Sequence, residues 1–454
     1  MNDKSLNLGA GPILPLLLKM SGPSIAAMLA MAVYNLIDAF WLARFSSDSI
    51  AALTICFPIQ LIFGGVGVGT GMGAGSYASR MFGAGENTKA KQTAGQVFFL
   101  SFLLGVLFIV IVLLYTDPIL FIFGASENIL PLSRQYLVTM MPGIPFLFII
   151  MIANNLLRAE GRPHLSMYSV LVIALISAFL DPLLIFGWGP FPRLGIQGAA
   201  LAAVISQISG AVLCFYYLQQ RSSKYRIKWR HLRPNPGIIL SIYKTGFPSI
   251  IINLVVSLGI LIHNHILAGY GNLAVATLGL VFRTNGLIMM TLYGIGHGLM
   301  PMVGYNEGAR QYSRLIAAVK IAVKISLCFS LLSFFFVEVF ADSISRLFST
   351  DLELQRLMAT ALRINFLMVI TAAPSLMWIN MFIGLGRGNT AMFLLVSRDS
   401  LLLIPLLLLL SSEFGINGVW MAQPIANALS FLFILYWTKR QYRIFESCLE
   451  NRED

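Results

Sequence analysis

The chain reads as long apolar runs separated by short polar joints. Twelve runs are long enough to cross a bilayer as helices, for which about 20 residues suffice. They cover 15–44, 50–79, 92–115, 131–157, 163–187, 195–219, 239–268, 275–304, 316–340, 357–384, 389–411 and 415–438. Membrane strands would instead show segments of about 9–11 residues with alternating polarity, and no such segment occurs. The pattern predicts an all-helical integral membrane protein.

The polar joints set the expected orientation. Alternate joints carry nineteen of the Lys and Arg residues, from Lys4 through Arg80, Lys89 and Lys91, the Arg221–Arg233 stretch, Arg310 and Arg314 to Lys439–Arg452. The intervening joints hold only Arg193, Arg346 and Arg356. Positive residues stay on the cytoplasmic side, so both termini are expected inside, in a cell inner membrane. No small-residue cleavage site interrupts the first apolar run, so that span is expected to remain.

Composition agrees. Of 454 residues, 57% are hydrophobic and 11% charged, against roughly 25% charged in soluble domains. The formal charge of +12 follows from the basic joints and does not indicate nucleic acid. Cys56, Cys214, Cys328 and Cys448 are far apart, without metal or redox spacing. A glycine run at 64–75 contains a GxGxxG-like string but lies inside an apolar span, where glycines serve close helix packing. No phosphate-binding lysine loop or catalytic constellation is present, so neither an ATP-driven pump nor an enzyme is expected, and no cofactor.

The chain repeats itself. An offset of 225 residues places Lys19, Pro23 and Ser24 on Lys244, Pro248 and Ser249. It also superposes Gly69, Gly71 and Gly73 on Gly294, Gly296 and Gly298, and Asn155 and Gly161-Arg162 on Asn380 and Gly386-Arg387. A five-residue slip later pairs Gly195-Ile196-Gln197-Gly198 with Gly415-Ile416-Asn417-Gly418. Two six-helix halves are therefore expected, 1–225 and 226–454, joined by a basic linker at about 220–238. Six spans per half is even, so the copies are parallel repeats, an arrangement typical of transporters.

Ionisable groups inside the spans are the candidates for chemistry, because a charge at mid-bilayer costs about 2.5–3.5 kcal/mol on insertion scales. Asp38 shares a helical face with Tyr34 and Asn35. Asp181 follows Ser177 by one turn and precedes Pro182, which frees a backbone carbonyl. Asn154-Asn155 closes the fourth span, and these groups are expected to converge in one half. Asp399 follows Arg398, with Arg283 at mid-depth of the eighth span, so an ion pair is expected there. His263, His265 and His297 are polar side chains within the seventh and eighth spans.

Six segments carry a family resemblance: SRMFGAGENTKA (79–90), NNLLRAEGRP (154–163), DPLLIFG (181–187), LGIQGAAL (194–201), PMVGYNEGA (301–309) and GLGRGNTA (384–391). With them the chain resembles the multidrug and toxic compound extrusion (MATE) family, in its DinF/MepA-like branch. The resemblance implies twelve helices in two pseudo-symmetric lobes forming a V. It implies efflux of cationic or amphipathic drugs by antiport against H⁺, with Na⁺ as the other ion for which Asp38 and Asp181 are candidates. It assigns cation coupling to Asp38, Asp181, Tyr34 and Asn154 and helix bending to Pro23; Ser177, one turn before Asp181, is expected to join the coupling group, and Pro182 to bend its helix beside the acid. Substrate contacts are expected from Asn35, Asn155, Met151, Gln207, Arg283 and Asp399. Ser177 departs from an asparagine common in the family, and Ala199 from a threonine. A monomer in the lipid bilayer is expected. A flippase for lipid-linked precursors is the alternative within the same superfold.

Overall fold

The computed structural model describes residues 5–348 and 351–453; Lys4 lies outside the described residues. Fourteen α-helices follow one another, with no strand among the described residues. They are α1 (Ile13–Phe45), α2 (Ser47–Gly83), α3 (Asn87–Leu114), α4 (Thr116–Ile122), α5 (Leu130–Met140), α6 (Ile144–Ala159), α7 (Pro163–Phe186), α8 (Ile196–Gln219), α9 (Pro236–Ala268), α10 (Asn272–Gly308), α11 (Tyr312–Phe348), α12 (Leu352–Gly384), α13 (Gly388–Val396) and α14 (Leu403–Glu453). Every predicted span falls on this framework.

Two spans are built from more than one helix. The fourth is α5 and α6 joined by a 3₁₀ turn at Met141–Gly143, where Pro142 supplies no N–H to an α-helical ladder. The eleventh is α13, a π-helical turn at Ser397–Leu402 and the start of α14. Gly415, with φ 58° and ψ −139°, then breaks α14 and separates the eleventh span from the twelfth. Gly195 adopts nearly the same conformation (φ 59°, ψ −131°) before α8, as the repeat demands, and only glycine enters that region readily.

Among the described residues, contacts divide the chain into a first unit, within 1–7 and 26–250, and a second unit, within 8–25 and 251–454. This differs from the expected halves of 1–225 and 226–454: the beginnings of α1 and α9 have changed sides. The physical reason lies in the glycines of the repeat. In the first unit, a Cβ on Gly69 would lie 2.5 Å from the Ile250 side chain, and one on Gly73 only 2.2 Å from the Ile242 carbonyl oxygen. In the second unit, Gly294 meets Ile25 at 2.5 Å and Gly298 meets Ser21 at 2.4 Å. The two sets are related by the 225-residue offset. Backbones can approach this closely only where side chains are missing, so the glycine-bearing α2 and α10 each hold the start of a helix from the other half of the sequence. Polar contacts add to this: Arg314 donates to the carbonyls of Ala10 and Gly11 at 2.7 Å, and Thr70 faces the Tyr243 hydroxyl at 3.5 Å.

The basic linker is fastened within the first unit. The Gln96 amide donates to the carbonyls of His231 and Arg233 at 3.0 and 2.8 Å and accepts from Asn235 N at 3.0 Å. Tyr225 is fully buried and donates to the Leu156 carbonyl at 2.9 Å. Glu160, at the end of α6, accepts from the Lys224 N–H and from Ser223 at 3.3 Å, with Arg162 at 4.0 Å. Burial pushes the Glu160 carboxyl above its ordinary 4.5, although the Lys224 N–H, Arg162 and Ser223 all favour its charged form. The folded linker therefore holds the Glu160 proton more tightly than the unfolded chain does. That stabilisation is complete below the ordinary glutamate value and is lost as pH rises through the folded one. Hydrogen-exchange protection at 223–227, corrected for intrinsic rate, should fall as pH rises above the ordinary glutamate value of 4.5, and Glu160→Gln should flatten the dependence. Wild-type protection that stays level over this range would refute the assignment.

Candidate functional site

In the first unit the second half of α1 and the second half of α7 bring the intramembrane acids together. Their ends are fixed by an aromatic cluster: Trp41 packs edge-on against Phe186 and Trp188, both at 5.9 Å, and Phe45 against Phe186 at 5.9 Å. Arg193 lies over the Phe45 ring at 5.2 Å. The turn from α7 to α8 closes with Leu194 N donating to the Leu184 carbonyl at 3.0 Å and Gly195 N to Ile185 at 3.1 Å. Pro182 sits within α7, so the carbonyl of Ala178, one turn earlier, has no proline N–H to accept.

Asp181 is fully buried. Its Oδ1 faces the Ser177 hydroxyl at 3.5 Å, and its Oδ2 has no hydrogen-bond partner among the described residues. Asp38 lies within electrostatic reach of Asp181, and the Tyr34 phenol interacts with both acids and with Ser177. Neither carboxyl is ion-paired among the described residues. Two more side chains extend the cluster. Tyr136 of α5 interacts with Asp38 and Tyr34, and the Gln60 amide of α2 donates to the Tyr136 hydroxyl at 3.0 Å. Neither was singled out from the sequence, although Gln60 is the only polar residue in its stretch of α2 from Ile55 to Phe63. That isolation is the signal that could have found it.

Other expected members lie elsewhere. Asn154 accepts from the Cys214 thiol at 3.8 Å, and the Asn155 amide donates to the Met151 carbonyl at 2.9 Å while packing on Gly71 and Gly75. Neither asparagine is among the groups that act on Asp38 or Asp181. Met151 fills the space over Gly67, and the Gln207 oxygen that over Gly143, so both pack against backbone. Asn35 is exposed. Pro23 lies within α1, in the segment that joins the second unit.

In the second unit Asp399 is buried and paired with its neighbour Arg398, Nε to Oδ1 and Nη2 to Oδ2, both at 2.8 Å. Arg283 is exposed and takes no part in the pair. His263 is buried and stands edge-on to Phe282 at 6.0 Å, while His265 is exposed. No cluster of three or more His, Cys, Asp or Glu occurs among the described residues.

Comparison with known proteins places this arrangement. Residues 23–183 and 248–409, the two copies of the repeat, each match the MatE family. The chain belongs to that family. Two of its relatives are a FAD transporter of Shewanella oneidensis, 28% identical over 97% of both chains, and the multidrug export protein MepA of Staphylococcus aureus, 28% identical over 94% of both. Among solved structures, an outward-facing multidrug resistance MATE transporter of the MOP superfamily matches 98% of this chain and 99% of its own with a TM-score of 0.92 at 24% identity. A MOP superfamily transporter from Pyrococcus furiosus matches with a TM-score of 0.90 at 23% identity, covering 97% of this chain and 98% of its own. The chain is thus a multi-pass membrane protein of a transporter family with the MATE fold. Each unit of this MatE protein holds its polar groups differently: the first has two acids without an ion-pair partner among the described residues, beside a phenol, the second a neutralised ion pair beside a histidine.

Proposed function

We propose that this MatE protein is a proton-coupled efflux antiporter for amphipathic organic compounds, organic cations included, and that Asp38 and Asp181 with Tyr34 and Ser177 are its coupling group. The observation that carries the reading is Asp181, wholly buried, with one carboxyl oxygen lacking any partner among the described residues and a second carboxyl within electrostatic reach. Two adjacent negative charges in a low-dielectric interior repel each other, and burial makes each costly. Protonating one relieves both costs. The proton count of the pair therefore biases the exchange between outward-open and inward-open states. A proton needs one lone pair, whereas Na⁺ needs several oxygens. The hydroxyl beside Asp181 is that of Ser177, a shorter side chain than the asparagine common in the family, which supports H⁺ over Na⁺. The distribution of Lys and Arg supports both termini lying on the cytoplasmic side of the inner membrane.

The test is efflux of ethidium, an aromatic cation, from proteoliposomes under an imposed ΔpH or an imposed Na⁺ gradient. Efflux driven by ΔpH and indifferent to Na⁺ is expected. Efflux driven by Na⁺ alone would overturn proton coupling.

A further inference from the structure

The repeat relates two polar clusters, one in each unit. The 225-residue offset carries Asp38 onto His263 and Gln60 onto Asn285, and the shorter offset of the last spans carries Gln207 onto Asn427. In the second unit all three of these mates line a cavity of about 340 Å³, a volume within the range of small-molecule sites. The cavity therefore includes the second copy's counterparts of Asp38 and Gln60, with a histidine where the first copy has its aspartate.

Its one carboxylate is not free. Arg398 and Asp399 lie in the π-helical turn Ser397–Leu402, a distortion often found at functional sites. In an α-helix successive side chains diverge by about 100°; in the wider turn these two neighbours meet in a two-bond pair. The Asp399 side chain is 7% exposed and that of Arg398 20%, so the cation is the more accessible partner. A guanidinium carries five N–H donors, and the pair uses two. The same cavity is lined by Asn285 and His263, both buried, whose Oδ1 and Nε2 have no hydrogen-bond partner among the described residues. Phe282, Met289 and Met368 form the apolar wall, suited to a flat aromatic body.

We propose that this cavity is a binding site for aromatic acids, a planar apolar ring bearing a carboxylate that the outer edge of Arg398 receives. An organic cation finds no uncompensated acid here. The proposal deepens the transport reading by naming a ligand class for the second unit. Binding at equilibrium needs no ion gradient, so it can fail while proton coupling stands, and the reverse.

The test uses the full chain in lipid nanodiscs, with empty nanodiscs as blank, and two probes of matched shape, 2-naphthoate and 2-naphthyltrimethylammonium, in calorimetric titrations. The wild type is expected to bind naphthoate at least tenfold more tightly than the ammonium. Asp399→Asn frees Arg398 and should retain or tighten naphthoate binding; Arg398→Gln should weaken it at least tenfold. Should Arg398→Gln fail to fold because it leaves Asp399 unpaired, the double variant R398Q/D399N removes both charges and carries the same expectation of tenfold loss. Asn285→Ala should also weaken naphthoate. Equal or tighter binding of the ammonium by the wild type, or naphthoate binding unchanged in the folded arginine variant, overturns the proposal.

Discussion

Asp181→Asn is expected to abolish ΔpH-driven efflux while leaving a folded protein. One proton moving through 100 mV supplies roughly 2.3 kcal/mol, enough for about a fifty-fold substrate gradient at 1.36 kcal/mol per tenfold; the variant should sustain none. Asparagine keeps the size and polarity of the side chain and its reach to Ser177, so packing is preserved, but it has no proton to exchange. Asp38→Asn should behave in the same way. Because the two carboxylates act on each other, the double variant should lose no more than either single one, the non-additivity expected of coupled groups. Substrate-stimulated proton flux, followed with an entrapped pH dye, decides the matter. If it persists in both single variants, these aspartates do not carry the coupling.

Gly73→Ala should destabilise the first unit by about 2 kcal/mol or more, since overpacking a filled interface costs about 1–3 kcal/mol and this contact is with backbone. The added Cβ would stand 2.2 Å from the Ile242 carbonyl oxygen and 2.9 Å from Gly246 N, and neither can move without shifting α9. Its repeat mate Gly298→Ala should cost less. There the nearest atom is the Ser21 hydroxyl oxygen at 2.4 Å, which can rotate away, followed by Ser21 N at 2.8 Å. Gly279→Ala is the control: no atom lies within 4 Å, and removing glycine from a helix interior is worth up to about 1 kcal/mol in the stabilising direction. Thermal unfolding followed by size-exclusion retention should rank the three in that order. Equal midpoints for Gly73→Ala and Gly279→Ala would show that the glycine contacts do not hold the start of α9.

The repeat is imperfect at one of its turns as well. Gly85 and Arg310 occupy matching turns, Gly85 with φ 77° and Arg310 with φ 55°. The turns share their hydrogen bonds: Glu86 N to the Met81 carbonyl and Gln311 N to that of Asn306, both at 2.8 Å. A side chain in the left-handed region costs roughly 1–2 kcal/mol, so the second copy holds this turn against a local preference that the first copy does not oppose.

Fold class and span positions were legible because a bilayer imposes a length and a composition on every crossing helix, and both are written locally. The breaks at Pro142 and Gly415 fall where a missing N–H and a missing Cβ allow them. Asp38 and Asp181 stood out as candidates because ionisable residues inside apolar runs are few. Tyr136 and Gln60 were missed because an uncharged polar side chain in a span is a weak signal until its neighbours are known.

The sequence by itself determined that this is a helical membrane protein made of two copies of a six-span unit, with unusual acids in the first copy, since hydropathy, charge bias and internal offset need no knowledge of contacts. Only the tertiary structure decided that the starts of α1 and α9 pack in opposite units, that Asn154 and Asn155 bond to Cys214 and Met151, and that Arg398 rather than Arg283 neutralises Asp399. These facts depend on which surfaces meet across hundreds of residues and on where a helix turn widens. Close approach and side-chain pairing are properties of three-dimensional packing that periodicity along one chain does not encode.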